Sequence, residues 1–436
     1  MENVVLKIQN EFDYRASSYK SLINEIEFDK YMKELLKEES EFDCNKFGEL
    51  STLSLKFNYI LNGKYISLDR LNEIILSNIQ YDCSHIYFER IMDNIKNDDI
   101  EKGFQKITER FSFKNIPNDY HEYLLNTGYN ILDRVTPSHV NEIYFPVLEY
   151  DDSMIRIMSV VSFIDSDELT SNRACIIQIN RKNGDTSFHV NSKSGRFKIA
   201  NSNKAEINSP LSFFKYMRDL IGSSFSFMYE PKLSTYKKDR EKMFVFCNEM
   251  NQYLIGEQSN LLSTELSPMI IRQIKKIFKQ MNEMNNNIKL DFETRDKIEN
   301  KIFSTYLGEY ISRGFPDNEL KKSAKQKGCV CYPTKISFKG QELSRGKASA
   351  RSKEFPLTFE SVFYSLNTDI KIAGELDEFT LAWFDNPFFD KSKELSVSQT
   401  TIKINKDYFS IVLLNKKNKN RKLVEFIEQT IRTAIS

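Results

Sequence analysis

The residue types able to carry out chemistry lie far apart in this chain of 436 residues. Its four histidines, His85, His121, His139 and His189, have no partners at metal-ligand spacing. His121-Glu122 begins as a zinc-peptidase helix would, but position 125, where the second histidine belongs, is Leu125. The six cysteines, Cys44, Cys83, Cys175, Cys247, Cys329 and Cys331, are too few and too scattered for a disulfide framework and read as reduced structural thiols. Gly340 to Lys347 holds only Gly340 and Gly346, in the wrong arrangement for a Walker loop, and no GxGxxG follows a strand. A metal-dependent nuclease needs an acid on one strand and an acid-x-Lys pair on the next. Glu149, Asp151 and Asp152 supply the first part, but Gln178-Ile179-Asn180 offers asparagine where lysine is wanted. Asp165-Ser166-Asp167-Glu168 and Glu375-Leu376-Asp377-Glu378 read as solvated turns. No base is placed by sequence beside a serine or cysteine nucleophile, so neither a catalytic residue nor a cofactor is expected.

The one constellation with direction is basic. Between Arg313 and Lys353 there are eleven basic and three acidic residues, whereas Met1 to Ile60 carries twelve acidic and eight basic. The net charge of +1 therefore conceals a polarised chain. Lys321, Lys322, Lys325, Lys327, Lys335, Lys339, Arg345, Lys347, Arg351 and Lys353 have the charge to neutralise phosphates and release counterions. Gly340, Ser344, Gly346, Ser349 and Ser352 would let a backbone approach phosphates closely. A solvated surface paired with the acidic segments is the competing reading.

The elements that must position these residues follow from periodicity. Residues 1 to about 130 read mainly as helix, with apolar faces at Tyr19, Leu22, Ile23 and Ile26 and again at Leu71, Ile74, Ile75 and Ile79 behind an N-cap at Ser67. Leu53 to Leu61 is helix or strand. Ile143 to Leu148 and Met154 to Ile164 read as a hairpin, and Ala174 to Asn180 turns through Asn183-Gly184 into Thr186 to Val190. Arg196 to Ala200 would extend the meander. Ser209-Pro210 caps a helix carrying Leu211, Phe214, Met217, Leu220 and Ile221, with Gly222 as its C-cap. Phe213, Phe214, Phe225, Phe227 and Tyr229 are either core or a platform for stacked bases. Further helices run from Asp239 to Gly256, from Ser267-Pro268 through Met281, and from Asp291 to Ile311. Beyond Pro316, strands are expected at Lys335 to Lys339, Asp369 to Ala373, Thr380 to Phe384, Thr400 to Ile404 and Phe409 to Leu414. Ser344 to Ser352 reads as an exposed loop, and a helix bearing Leu423, Phe426, Ile427 and Ile431 comes last.

The expected class is thus α+β: a mainly helical domain at 1–135, an antiparallel meander with its helix at 136–235, a helical connector at 236–312 and a basic α+β domain at 313–436. With 40% hydrophobic and 28% charged residues the chain is globular, and no apolar run reaches the ~18 residues of a membrane span. Met1-Glu2-Asn3-Val4 lacks a basic segment followed by an apolar core, so a cytoplasmic location is expected. Abundant Asn, Lys, Ile and Phe suggest an AT-rich bacterial or phage genome.

The order of parts is similar to that of the bacterial nucleoid-associated protein family. There a strand-rich lobe runs into a helix with a Phe-Phe pair and a Leu-Gly end, here Phe213-Phe214 through Leu220-Ile221-Gly222, and a strand-rich C-terminal region follows, here Lys335 to Leu414. The resemblance covers residues of about 140 to 415 and implies DNA binding without catalysis. The expectation is a non-catalytic nucleic-acid-binding protein, duplex DNA being the partner, in a nucleoid-associated or phage-defence assembly. A metal-dependent nuclease or nuclease subunit whose carboxylates converge only in the fold, and an adaptor that assembles with itself or with another protein, are the alternatives.

Overall fold

The computed structural model describes residues 22–39, 41–111, 143–164, 170–191, 207–285, 291–339, 345–386, 395–414 and 420–435. The expected strand at Arg196 to Ala200, His121, His139, and the Asp165 to Glu168 cluster lie outside these residues. The chain is an α+β protein that folds as two compact units, Met1–Pro231 with Lys416–Glu425, and Lys232–Asn415 with Phe426–Ser436.

Among the described residues of the first unit, four helices precede any strand: α1 (Glu25–Leu35), α2 (Cys44–Glu49), α3 (Leu53–Asn62) and α4 (Leu68–Tyr81). Asn24, Asp43, Thr52 and Ser67 each accept a backbone N–H of the first turn through their side chains, which satisfies donors that the helix cannot. The helices bury Phe28, Phe47, Phe57, Leu71 and Ile75 in one cluster with Val147, Met158, Val160 and Ile176 of the sheet. That sheet is built from β1 (His85–Arg90), β2 (Ile143–Tyr150), β3 (Met154–Ile164), β4 (Thr170–Asn180) and β5 (Asp185–Val190), with α5 (Asn97–Arg110) following β1. Its order is β2-β3-β4-β5-β1, antiparallel throughout. β1 interrupts the stretch expected to be helical. His85-Ile86-Tyr87-Phe88 is aromatic and β-branched, and its pairing with β5 buries both faces. At the β4–β5 turn Gly184 has φ +75°, and a Cβ there would lie 2.1 Å from the Ile91 carbonyl oxygen, so both conformation and space demand glycine.

The opposite face of this sheet is covered by α6 (Pro210–Phe225), which starts in a capping box between Ser209 and Ser212. Tyr87 stacks on Phe214 with centroids 4.3 Å apart, and Phe188 meets the same ring edge-on at 5.1 Å. Phe213, Phe214, Phe225 and Phe227 are buried, so these aromatics are core. The helix runs past Gly222 to Phe225, and Ser226, at φ +59°, supplies the left-handed cap. Arg218 Nε donates to Glu89 Oε1 at 2.9 Å, which gives the fully buried Glu89 carboxylate a cationic partner.

The second unit begins with α7 (Lys232–Met284), a single helix where two had been expected. Gly256 is buried within it and Pro268 lies on an exposed turn, where water can satisfy the carbonyl its missing N–H leaves free. Next come α8 (Phe292–Gly314), capped by Asp291, and α9 (Asp317–Gln326). Then follow β6 (Cys331–Lys339), β7 (Arg345–Ser349), α10 (Ser361–Ala373), β8 (Glu378–Phe384), β9 (Val397–Ile404), β10 (Phe409–Leu413) and α11 (Arg421–Ile435). The strands form an antiparallel sheet of order β10-β9-β8-β6-β7. Two segments of this unit differ from their expected structure. Asp369 to Ala373 is the last turn of α10, closed by Gly374 at φ +62°, because Phe363, Tyr364 and Ile370 fall on one buried helical face. Ser344 to Ser352 is not all loop, since Arg345 to Ser349 pairs with β6 as the edge strand. Trp383, the chain's only tryptophan, is fully buried between Phe246 of α7 and Phe426 of α11, and its Nε1 donates to Thr400 Oγ1 at 2.8 Å. Among the described residues, no helix is long and apolar enough to cross a membrane.

Candidate nucleic-acid interface

Alternation along β6 decides which lysines reach solvent. Ile336 and Phe338 point inward and are buried, while Lys335, Ser337 and Lys339 on the other face are only half-buried. The register pairs Lys335 with Ser349, Ser337 with Lys347, and Lys339 with Arg345, so these six positions share one face of the β6–β7 hairpin. Gly346, opposite Phe338, makes the pairing possible: a Cβ there would sit 2.2 Å from the Phe338 ring. Lys347 is exposed, and Lys339 and Lys347 are diagonal neighbours across the strand pair. The same face continues through Glu378 of β8, opposite Ser337, to Lys403 of β9, opposite Glu378.

The ten basic residues singled out by sequence fall into distinct settings. Lys321 is buried and pairs with Asp317 Oδ2 at 2.9 Å, one turn earlier on α9. Lys325 is buried with its Nζ 5.4 Å from the centroid of the Phe384 ring. Lys327 pairs with Glu257 at 2.7 Å. Lys335 pairs with Glu378, whose other oxygen lies 3.9 Å from Lys403 Nζ. Arg351 donates from Nε to Glu360 Oε1 at 3.1 Å and lies 3.7 Å over the Phe355 ring. Arg345 is placed by its backbone register alone. Among the described residues, no ion pair engages Lys322, Lys339, Lys347 or Lys353, and of these Lys339 and Lys347 are brought together. Lys403 was not singled out by sequence. The alternation of Thr-Ile-Lys-Ile from Thr401 to Ile404 marks it as outward-facing, but only the sheet order sets it on the same face as Lys335.

Of the carboxylates considered for a metal, Glu149, Asp151, Glu375, Asp377 and Glu378 are engaged in structure. Glu149 receives Arg156 Nε at 2.7 Å; burial pushes its pKa up, and the Arg156 charge opposes that shift. Asp151 closes the β2–β3 turn by accepting Ser153 Oγ and N, each at 2.7 Å, and Met154 N at 2.9 Å, bonds that hold its carboxyl below the usual range. Asn180 accepts Lys182 N at 2.9 Å and serves the next turn. Glu375 and Asp377 both hold Arg240. Among the described residues no group of three or more His, Cys, Asp or Glu converges as metal ligands would.

Five of the six cysteines are buried, Cys44 being the half-exposed one. Burial pushes the Cys329 thiol up to about 12 and raises Cys175, Cys247 and Cys331 as well, so these remain protonated and unreactive near neutral pH. An aromatic disulfide reagent near pH 8 should therefore label Cys44 alone in the native protein, and all six thiols after unfolding. Rapid labelling of a second native thiol would contradict this burial.

Fold and site together define an α+β protein with a cationic face on the edge hairpin among the strands of its second unit. Comparison with protein-family models, curated proteins and solved structures gives no match.

Proposed function

We propose that this protein binds nucleic acid, duplex DNA in the first place, through the outward face of the β6–β7 hairpin and without catalysing its cleavage. The observation that supports this reading is the pairing of Lys339 and Lys347 as diagonal neighbours, with no acidic partner among the described residues, beside the register position of Arg345. Inward from this point Glu378 offsets Lys335 and Lys403, so the positive field is strongest at the free edge. A two-stranded ribbon fits the major groove of B-DNA, and cationic residues on its outer face would meet phosphates flanking the groove. The resemblance to nucleoid-associated proteins points the same way. Lysines on a short edge strand also discourage pairing with another chain, and that role alone would bring no affinity for nucleic acid.

Three or four phosphate contacts give a log–log salt slope of roughly −2.7 to −3.6 on duplex DNA, so affinity should fall roughly 40- to 150-fold between about 50 and 200 mM salt. Fluorescence anisotropy with labelled duplex DNA, single-stranded DNA and RNA measures this directly. Duplex binding with that slope supports the reading. Absence of binding at about 50 mM salt would retire it, and tighter binding to RNA would reassign the partner.

A further inference from the structure

Helices α7 and α8 pack together and are joined by only the seven residues 285–291, so they run antiparallel as a hairpin. The distal half of α7 carries two apolar rows. One, Ile270 and Ile274, is buried. The other consists of Leu262, Leu266, Met269, Ile277 and Met284, with Gln273 and Gln280 at the intervening positions, and it lies about 80° around the helix from the first. Met269, Ile277 and Met284 in this second row are 62%, 50% and 88% exposed. Positions 262, 273 and 284 step by eleven residues, a repeat close to the natural twist of a straight helix, so the row stays on one line for its full length. A continuous apolar line of this kind on a helix exterior has the character of an interaction surface.

We infer that this seam binds a second copy of the same chain, α7 against α7 in antiparallel register about a two-fold axis at Gln273. The row is self-complementary under that operation. Leu262 comes opposite Met284, Leu266 opposite Gln280, Met269 opposite Ile277, and Gln273 opposite its own twin, where two amides can hydrogen-bond each other and fix the register. Charge agrees with this arrangement. Lys279 of one copy comes within one helical turn of Glu265 of the other, twice by symmetry, and neither residue has an ion pair among the described residues. The seam is also long, about 33 Å or six turns of one helix face, so the contact repeats along the whole distal half of α7.

Sedimentation equilibrium of the full chain tests this beside Met269→Lys/Ile277→Lys, whose substitutions are at exposed positions and whose helical content circular dichroism can verify. A parent dimer that is weakened at least 100-fold in the variant is expected. Gln273→Cys gives a second readout. Under mild oxidation it should form a disulfide with its twin, whereas Leu262→Cys should not, because its twin lies about 33 Å away. A parent that is monomeric at about 100 μM, a dimer indifferent to the lysine substitutions, or a dimer in which residue 273 does not cross-link would each overturn the proposal.

Discussion

Arg240→Ala should lower the stability of the second unit by about 3 kcal/mol, at the lower end of the cost of breaking a buried ion pair. The Arg240 side chain is 4% exposed and reaches Glu375 and Asp377, which are 20% and 23% exposed. Removing the guanidinium strands two carboxylates that water can only partly reclaim, which sets the loss below the full cost of a sealed site. Tyr236 adds to the arrangement, its ring centroid lying 5.0 Å from the guanidinium and its hydroxyl accepting Nη1 at 3.2 Å. Arg240→Lys keeps the charge but cannot span both carboxylates, and should cost about 1–2 kcal/mol. Urea unfolding followed by the fluorescence of Trp383 measures both, since the single tryptophan reports on that unit alone. A shift under about 1 kcal/mol for the alanine variant would mean that the ion pair does not hold α7 to the segment before β8.

The second large effect concerns affinity. Lys339→Glu with Lys347→Glu removes two phosphate contacts and places two anions against the DNA backbone, so duplex affinity near 100 mM salt should drop at least 100-fold. The unfolding midpoint should move little, because Lys347 is exposed and Lys339 half-buried. Charge reversal at Lys321 or Lys325 is a poor substitute. Both are buried, and a loss of binding there would report unfolding rather than contact.

What was legible in the sequence was mostly local chemistry. Ser209-Pro210, Asp291 and Ser67 start helices because a side-chain acceptor and a compatible first turn suffice, and Asn183-Gly184 makes its turn because glycine alone tolerates the conformation. The misreadings arose where tertiary packing overrode a local signal. Gly256 and Pro268 resemble helix ends, yet α7 continues through them because its buried face from Met243 to Ile274 is supported on both sides of each. Ile370-Lys371-Ile372 alternates like a strand, but the residues before it fix a helical face. At the candidate site the composition of the basic segment was legible. Its division into buried Lys321 and Lys325, paired Lys335, and outward Lys339 and Lys347 was not, since that depends on which strands are neighbours. Lys403 escaped for the same reason: some sixty residues separate it from the hairpin whose face it shares.

The measurement that bears most directly on nucleic-acid binding by the β6–β7 face is the salt slope of duplex affinity for the parent chain and for Lys339→Glu/Lys347→Glu, taken side by side. If these lysines meet phosphates, the variant's slope is shallower by about two, together with its lower affinity. Equal slopes and equal affinities would place any DNA contact elsewhere on the protein and contradict the assignment of this face.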